Sequence, residues 1–228
     1  SHDIKTPLTS IINYVNLIKM EKIENERVQG YVKILDEKSQ RLKQLTEDLV
    51  EASKISSGNV KLDMQMIDLV ELVYQTSGEF NEKFEQKELT IVTKMPKTEV
   101  YIRADGRQLY RVIENLYNNV AKYALEKTRV YVDIFYQENK VVFSIKNVSE
   151  RSLARENSNA GDLTERFIRG DSSRTTEGSG LGLSIAKNLT VLMGGTFDIK
   201  VDGDLFKATI IFPPYMDGAA GNPEEIQD

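Results

Sequence analysis

Cysteine is absent from all 228 residues, which excludes disulfides, thiolate metal sites and cysteine nucleophiles and fits a reducing compartment. No stretch approaches the roughly 18 apolar residues that a membrane helix needs, and no signal-peptide pattern is present. A strong charge of one sign is also missing. The 30 basic and 35 acidic residues leave a formal net charge of −5, which makes no electrostatic case for nucleic-acid binding. Histidine occurs once, at position 2. The remaining composition, 40% apolar and 29% charged, describes a globular chain long enough for one large domain or two ordinary ones. Ser1 and His2 already lie inside a helical apolar pattern with no capping run before them. The chain therefore reads as a fragment whose upstream part is missing.

The first 60 residues predict two helices. Leu8, Ile11, Ile12, Val15 and Ile18 recur at the spacing of one helix face, MEKIENE forms a polar turn, and Asn25 is a cap for the second helix. That helix carries Val28, Leu35, Leu42 and Leu49 at a strict seven-residue interval, with Tyr31, Leu45 and Ala52 interleaved. Two helices alone cannot bury such a seam, and a dimer of hairpins forming a four-helix bundle can. SSG at 56–58 ends the helix and separates residues 1–60 from residues 61–215. In the second part, VKLDMQMIDL, LTIVTKMP and EVYIRAD read as strands around a helix at 68–86. GRQLYRVIENLYNNVAKYAL reads as a long amphipathic helix. Two hairpins follow, with turns at Glu138-Asn139 and Asp202-Gly203, and the helix GLGLSIAKNLTVLMGG lies between them. Strand runs with helices on one side predict an α+β sandwich. The tail, 216–228, is expected to be disordered.

Two constellations carry chemistry. In EGSGLGLSIAK, Gly178, Gly180 and Gly182 alternate just before a helix, so backbone amides and the positive helix end can face an anion. Such a loop can equally be one that merely turns the chain, and it lacks the Lys-Ser/Thr of a P-loop. On the long helix, Asn115 and Asn119 share a face, with Lys122 on the next turn and Tyr123 beside it. Two amide oxygens near a cation suit a hydrated Mg²⁺ bridging phosphates. Taken alone, the helix is more simply read as a solvated polar face.

Together these stretches identify a family. SHDIKTPLTSI resembles the histidine box of the bacterial two-component sensor histidine kinases, ENLYNNVAKY their asparagine box, LTERFIRGD their phenylalanine box, and EGSGLGLSIAKNL their second glycine box. The order and spacing match from residue 1 to about 213. The resemblance implies a dimeric phosphotransfer hairpin followed by a Bergerat-type ATP-binding sandwich. It implies ATP-dependent autophosphorylation of His2, transfer to a response-regulator aspartate, and a cytoplasmic place in a membrane-tethered sensor. It further implies Asn115 and Asn119 as magnesium ligands, Lys122, Tyr123, Gly178, Gly180, Leu181 and Gly182 as nucleotide contacts, and a mobile lid containing Phe167. Arg169 and Arg174 of that lid either reach phosphate or are solvated loop arginines.

Asp3, adjacent to His2, can accept the imidazole proton. Thr6, one turn from His2, is placed by the resemblance to hold a water for hydrolysis of the regulator's phosphoaspartate. Pro7 removes the amide that would pair with the carbonyl of Asp3. The pattern departs from the family at its first glycine box, D-x-G-x-G. Asn147 stands at the aspartate, and both glycines are missing. Asparagine still offers adenine an acceptor, but a neutral one with a competing donor. Two readings follow: adenine held by Asn147 with loosened contacts, or a nucleotide-weak phosphatase or scaffold. A third, an unrelated ATPase of the same superfold, does not account for a histidine box beside a heptad hairpin.

Overall fold

The computed structural model describes residues 2–21, 25–56, 60–150 and 181–215, with backbone alone at 2–7 and 56. Helices α1 (His2–Met20) and α2 (Glu26–Ser56) form the hairpin. Asn25 caps α2 as its position predicts: its Oδ1 accepts from the amides of Arg27 at 3.0 Å and Val28 at 3.4 Å. Lys19 Nζ lies 2.6 Å from Asp36 Oδ2 and ties the two helices together. Leu8 and Val15 are buried, whereas Ile11, Tyr14 and Leu17 of α1 and Val28, Leu35, Leu42 and Leu49 of α2 are exposed. The heptad seam is thus left unspent by the single hairpin, as its strict repeat implies.

The rest of the described chain contains β1 (Gln65–Asp68), α3 (Leu69–Glu79), α4 (Asn81–Gln86), β2 (Thr90–Lys94), β3 (Tyr101–Ala104) and α5 (Gly106–Tyr123). After them come β4 (Arg129–Gln137), β5 (Lys140–Val148), α6 (Gly182–Leu192), β6 (Thr196–Asp202) and β7 (Leu205–Phe212). Five strands form one sheet in the order β2-β4-β5-β7-β6, parallel only between β2 and β4, while β1 and β3 pair separately. Leu109, Val112, Ile113, Leu116, Tyr117 and Val120 of α5 share one core with Val130, Val132, Ile145 and Ala208 of the sheet. The expected α+β sandwich is what the chain forms.

Three boundaries differ from expectation. The helix predicted at 68–86 breaks at Phe80, whose amide turns back to the carbonyls of Ser77 and Gly78. The bend lets Phe80 and Phe84 both pack on Tyr117, at centroid distances of 5.4 and 6.0 Å. Burial pushes the Tyr117 phenol up to about 12 against the pull of Ser77, whose hydroxyl lies 2.6 Å away. The second hairpin turns at Gly203-Asp204, one residue later than Asp202-Gly203. Gly203, at φ +62°, takes the first loop position, and Asp202 pairs with Leu205 to close the ladder. The strand expected from VKLDMQMIDL is confined to 65–68 because the Asp63 amide is drawn instead to Asp105 Oδ2, 2.9 Å away. The turn at Glu138-Asn139 stands as predicted, with both residues at positive φ. The SSG segment beyond Ser56, the centre of MEKIENE and the tail lie outside the described residues.

Asp105 does three jobs with one buried carboxylate. It caps α5 through the amides of Arg107 and Gln108, at 3.0 and 3.1 Å, and anchors the approach to β1 through Asp63. Burial opposes its ionisation, but those three amides and the nearby Arg107 cation outweigh burial and hold the carboxyl below its ordinary value. Asp105→Ala is expected to lower stability by about 1–2 kcal/mol at neutral pH. A native carboxyl with a depressed pKa stabilises above the unfolded value of about 3.9 and loses that contribution as pH falls through the native one. The deficit should therefore narrow below about pH 4. Denaturant unfolding of both proteins from pH 7 to pH 3 checks this.

Candidate nucleotide site

The buried stripe of α5 turns Asn115, Asn119, Lys122 and Tyr123 into half-buried positions at the edge of the core. Among the described residues neither asparagine has a hydrogen-bond partner, which leaves two carboxamide oxygens on one face. The Lys122 ammonium sits 4.8 Å from the centroid of the Tyr123 ring. The C-terminal end of α5 is fixed from two directions. Lys87 Nζ donates to the carbonyls of Lys122 at 3.0 Å and Ala124 at 3.3 Å, satisfying groups that a helix end leaves open. The Leu125 amide donates to Val148 and the Glu150 amide to Tyr123, joining the helix end to the end of β5.

Asn147 lies at that end of β5. It pairs in register with Val130 and Phe206, both core residues, so its side chain occupies the helix-covered face of the sheet. It is only 2% exposed. Its Nδ2 donates to the carbonyl of Val148 at 3.0 Å, which fixes the amide, and its Oδ1 is buried with no partner among the described residues. A buried acceptor without a donor carries a desolvation cost and calls for an explanation.

α6 begins at Gly182, with Leu181 as an N-cap that supplies no side-chain bond to the first-turn amides. A Cβ added at Gly182 would stand 3.0 Å from Asn115 Oδ1. This close approach leaves little room for a side chain, and it sets the start of α6 directly against the asparagine helix. A helix N-terminus beside the Asn115 carboxamide offers amides and positive charge to a phosphate chain, and Asn119 and Lys122 continue the same face of α5 over the next two turns. The asparagine oxygens suit a hard cation that keeps most of its water, which is what magnesium requires. Among the described residues no three His, Cys, Asp or Glu side chains converge to hold a metal.

The structure thus brings Asn115 together with Leu181 and Gly182, and joins the Lys122–Tyr123 turn to Asn147 through the backbone. Phe167, Gly178, Gly180, Arg169 and Arg174 lie outside the described residues, as do the side chains of His2, Asp3 and Thr6. No sequence signal marks Lys87 as the cap of α5, because the two ends of that contact lie 35 positions apart. Charge and helix pattern alone do not pair them.

Residues 104–215 match the family described as histidine kinase-, DNA gyrase B- and HSP90-like ATPase, and residues 1–58 match the His Kinase A phospho-acceptor domain. The sensor protein VanSC of Enterococcus gallinarum is 30% identical over 97% of this chain and 60% of its own length. The sensor histidine kinase WalK of Bacillus subtilis is 26% identical over 92% of this chain and 34% of its own. The chain therefore spans between a third and three fifths of these relatives. Among solved structures, full-length ShkA in complex with AMPPNP superposes with a TM-score of 0.78 at 22% identity, over 96% of this chain and 45% of that one. The Acinetobacter baumannii histidine kinase AdeS superposes at 0.63 and 19%, over 93% and 98%. With a phospho-acceptor hairpin leading into this ATPase fold, and sensor proteins matching it along nearly its whole length, the chain belongs to the two-component sensor histidine kinases, of which it carries the kinase core.

Proposed function

We propose that this segment is an ATP-dependent protein-histidine kinase that phosphorylates His2 and passes the group to an aspartate of a response-regulator receiver domain. The observation that carries this reading is the buried, unpartnered Oδ1 of Asn147 on the same side of the sheet as α5. It is an acceptor already desolvated and held in direction, and an exocyclic amino group of adenine is the donor it lacks. This favours adenine held by Asn147 over the nucleotide-weak alternative, since the cost of burying the acceptor is already met before any nucleotide arrives.

The remaining roles complete this reading. Lys122 and the first amides of α6 neutralise and orient the phosphates, and Asn115 and Asn119 supply the oxygens that hold Mg²⁺. When bound, the metal screens charge on the phosphate oxygens and fixes their orientation. The neutral imidazole of His2 attacks the terminal phosphorus. A nitrogen–phosphorus bond forms as the bond to the bridging oxygen breaks, ADP leaves, and Asp3 takes the proton from the other ring nitrogen. Thr6 orients water for the reverse task, hydrolysis of the regulator's phosphoaspartate. Gly178, Gly180 and a lid containing Phe167 complete the enclosure.

The hairpin is the dimerisation element in this reading, residues 1–60 forming half of a four-helix bundle. Its support is the exposed seam of Val28, Leu35, Leu42 and Leu49. No described helix is long and apolar enough to cross a membrane. In the longer protein we place this segment on the cytoplasmic side of a membrane sensor, in keeping with relatives named as sensors.

Incubation with γ-labelled ATP and Mg²⁺ is expected to label the chain. The label should be acid-labile, as a phosphoramidate is, and absent from His2→Gln; an acid-stable label on that variant refutes the assignment. Asn147→Ala removes the adenine acceptor and should weaken binding of a non-hydrolysable ATP analogue roughly five- to tenfold, the worth of one hydrogen bond. Calorimetric titration measures it, and unchanged affinity would show that Asn147 does not read the base. Leu42→Asp places a charge in the seam and is expected to convert a dimer to monomer in sedimentation while leaving analogue affinity intact.

A further inference from the structure

Arg111 lies one turn before Asn115 on α5, and its guanidinium leaves the ATP-binding fold altogether. It pairs with Glu51 of α2 and lies 3.7 Å from Asp48 of the same helix. The two carboxylates are three residues apart and so share one face, where like charges repel unless a cation stands between them. Both are largely enclosed, their side chains 9% and 19% exposed, and Asp48 also accepts from Gln44 Nε2 at 2.8 Å. Burial pushes the Glu51 carboxyl above its usual range despite the pull of Arg111, with Asp48 adding to the rise. Four residues further along, Ile55 of α2 is buried in the core of the sheet-bearing part, and Ala52 packs against the same core. A cavity of about 530 Å³ beside the clamp is lined by Glu47, Lys54 and Val50 of α2 and by Gln108 and Leu189 of the ATP-binding fold.

The height of this clamp along the hairpin can be read from the helix register. Lys19 meets Asp36, while Leu8 and Thr9 share a small cavity with Lys43, Thr46 and Glu47. Eleven residues back along α1, from Lys19 to Leu8, match eleven forward along α2, from Asp36 to Glu47, so the two helices stay in step. Continued by four residues, this register sets Glu51 level with Ile4 and Asp48 close to the level of Pro7. The clamp therefore grips α2 at the height of the turn that carries His2. Along α5 each residue rises about 1.5 Å, so Asn115 and Asn119 stand about 6 and 12 Å from Arg111.

We infer that Arg111 is a positioning residue for phosphoryl transfer: by clamping Asp48 and Glu51 it registers the nucleotide site on the phospho-acceptor hairpin at the level of His2. In this role Arg111 acts through the two carboxylates and not on the reacting atoms. It sets where one is presented to the other, and misplacement by about an ångström at such a distance is costly to rate. The proposal rests on His2 autophosphorylation as the reaction, and it adds the element that aligns the two reacting parts.

The whole chain serves as the test protein. Arg111→Ala should lower the first-turnover rate of autophosphorylation at saturating ATP at least tenfold, while the affinity for a non-hydrolysable ATP analogue stays within twofold. That split separates alignment from loss of fold, because an unfolded site would not bind the analogue. Arg111→Glu should be slower still, and adding Glu51→Arg should restore most of the rate, since the exchange rebuilds the ion pair and leaves a cation beside Asp48. An unchanged or faster rate in Arg111→Ala, an affinity loss that accounts for the rate loss, or no rescue in the exchanged pair would each overturn the proposal. Absence of His2 labelling in the unmodified chain would instead overturn the kinase reading beneath it.

Discussion

Six side chains of α5, from Leu109 to Val120, are buried against the sheet and its neighbours. Their burial is worth on the order of 10 kcal/mol relative to exposure. Turning the helix by one residue, about 100°, would bring Glu114 or Asn118 into that interface and expose part of the apolar stripe. The rotation of α5 is therefore fixed by packing, before any polar residue contributes. Arg111, Asn115, Asn119 and Lys122 inherit their directions from it. A functional stripe on a helix needs no side-chain bonds of its own to be preorganised when the opposite stripe is this firmly held. The lack of partners for Asn115 and Asn119 among the described residues is consistent with that division of labour.

The axial position of α5 is held just as firmly. Asp105 caps its start and ties that start to the segment before β1. At the other end Lys87 caps the last turn, and backbone bonds fasten it to β5. With rotation set by the stripe and translation set by the two caps, the helix has little freedom left. Asn147 then stands at a defined distance from Lys122 because the Leu125 amide and the Val148 carbonyl are bonded. The choice of asparagine over aspartate has a physical consequence in such a place. A carboxylate 2% exposed and without a cation would carry a large desolvation penalty whenever no donor is bound. A neutral amide with its Nδ2 satisfied leaves only one acceptor uncompensated, and so costs the nucleotide-free fold less.

What could be read from the sequence was whatever depends on residues close together in it. Asn25 as a cap, the stripe of α5, the turn at Glu138-Asn139 and the pairing of Asn115 with Asn119 all arise within one or two helical turns or one hairpin, where spacing determines geometry. The misplacements are small, and two of the three have tertiary causes. The break at Phe80 serves contacts with Tyr117, 37 residues away, and the short β1 results from Asp105 competing for an amide 42 residues earlier. The second turn shifted by one residue because Gly203, and not the dipeptide as a unit, supplies the positive φ. Lys87 and Arg111 were illegible altogether. Each reads as an ordinary charged helical residue until the fold supplies a carbonyl or carboxylate from a distant segment.

α2 shows how one helix can serve two interfaces without conflict. Its heptad positions, Val28 through Leu49, are exposed along its length, while Asp48, Glu51, Ala52 and Ile55 turn toward the ATP-binding fold near its C-terminal end. Apart from Ala52, which the heptad interleaves with the seam but which packs on the ATP-binding core, the two sets are displaced around the helix, so a second hairpin can cover the seam while the ionic and apolar contacts to α5 and α6 remain. The contacts differ in kind as well as in place. A heptad seam is apolar and suits a permanent partner. The clamp is built around charges whose burial roughly cancels their attraction, so it specifies an alignment while adding little net stability. An interface of that sort can hold a register and still let go, as the proposed phosphoryl transfer requires. On the proposed reading, a clamp placed on α2 suits a hairpin whose other helix, carrying His2, has to meet both the nucleotide and the regulator.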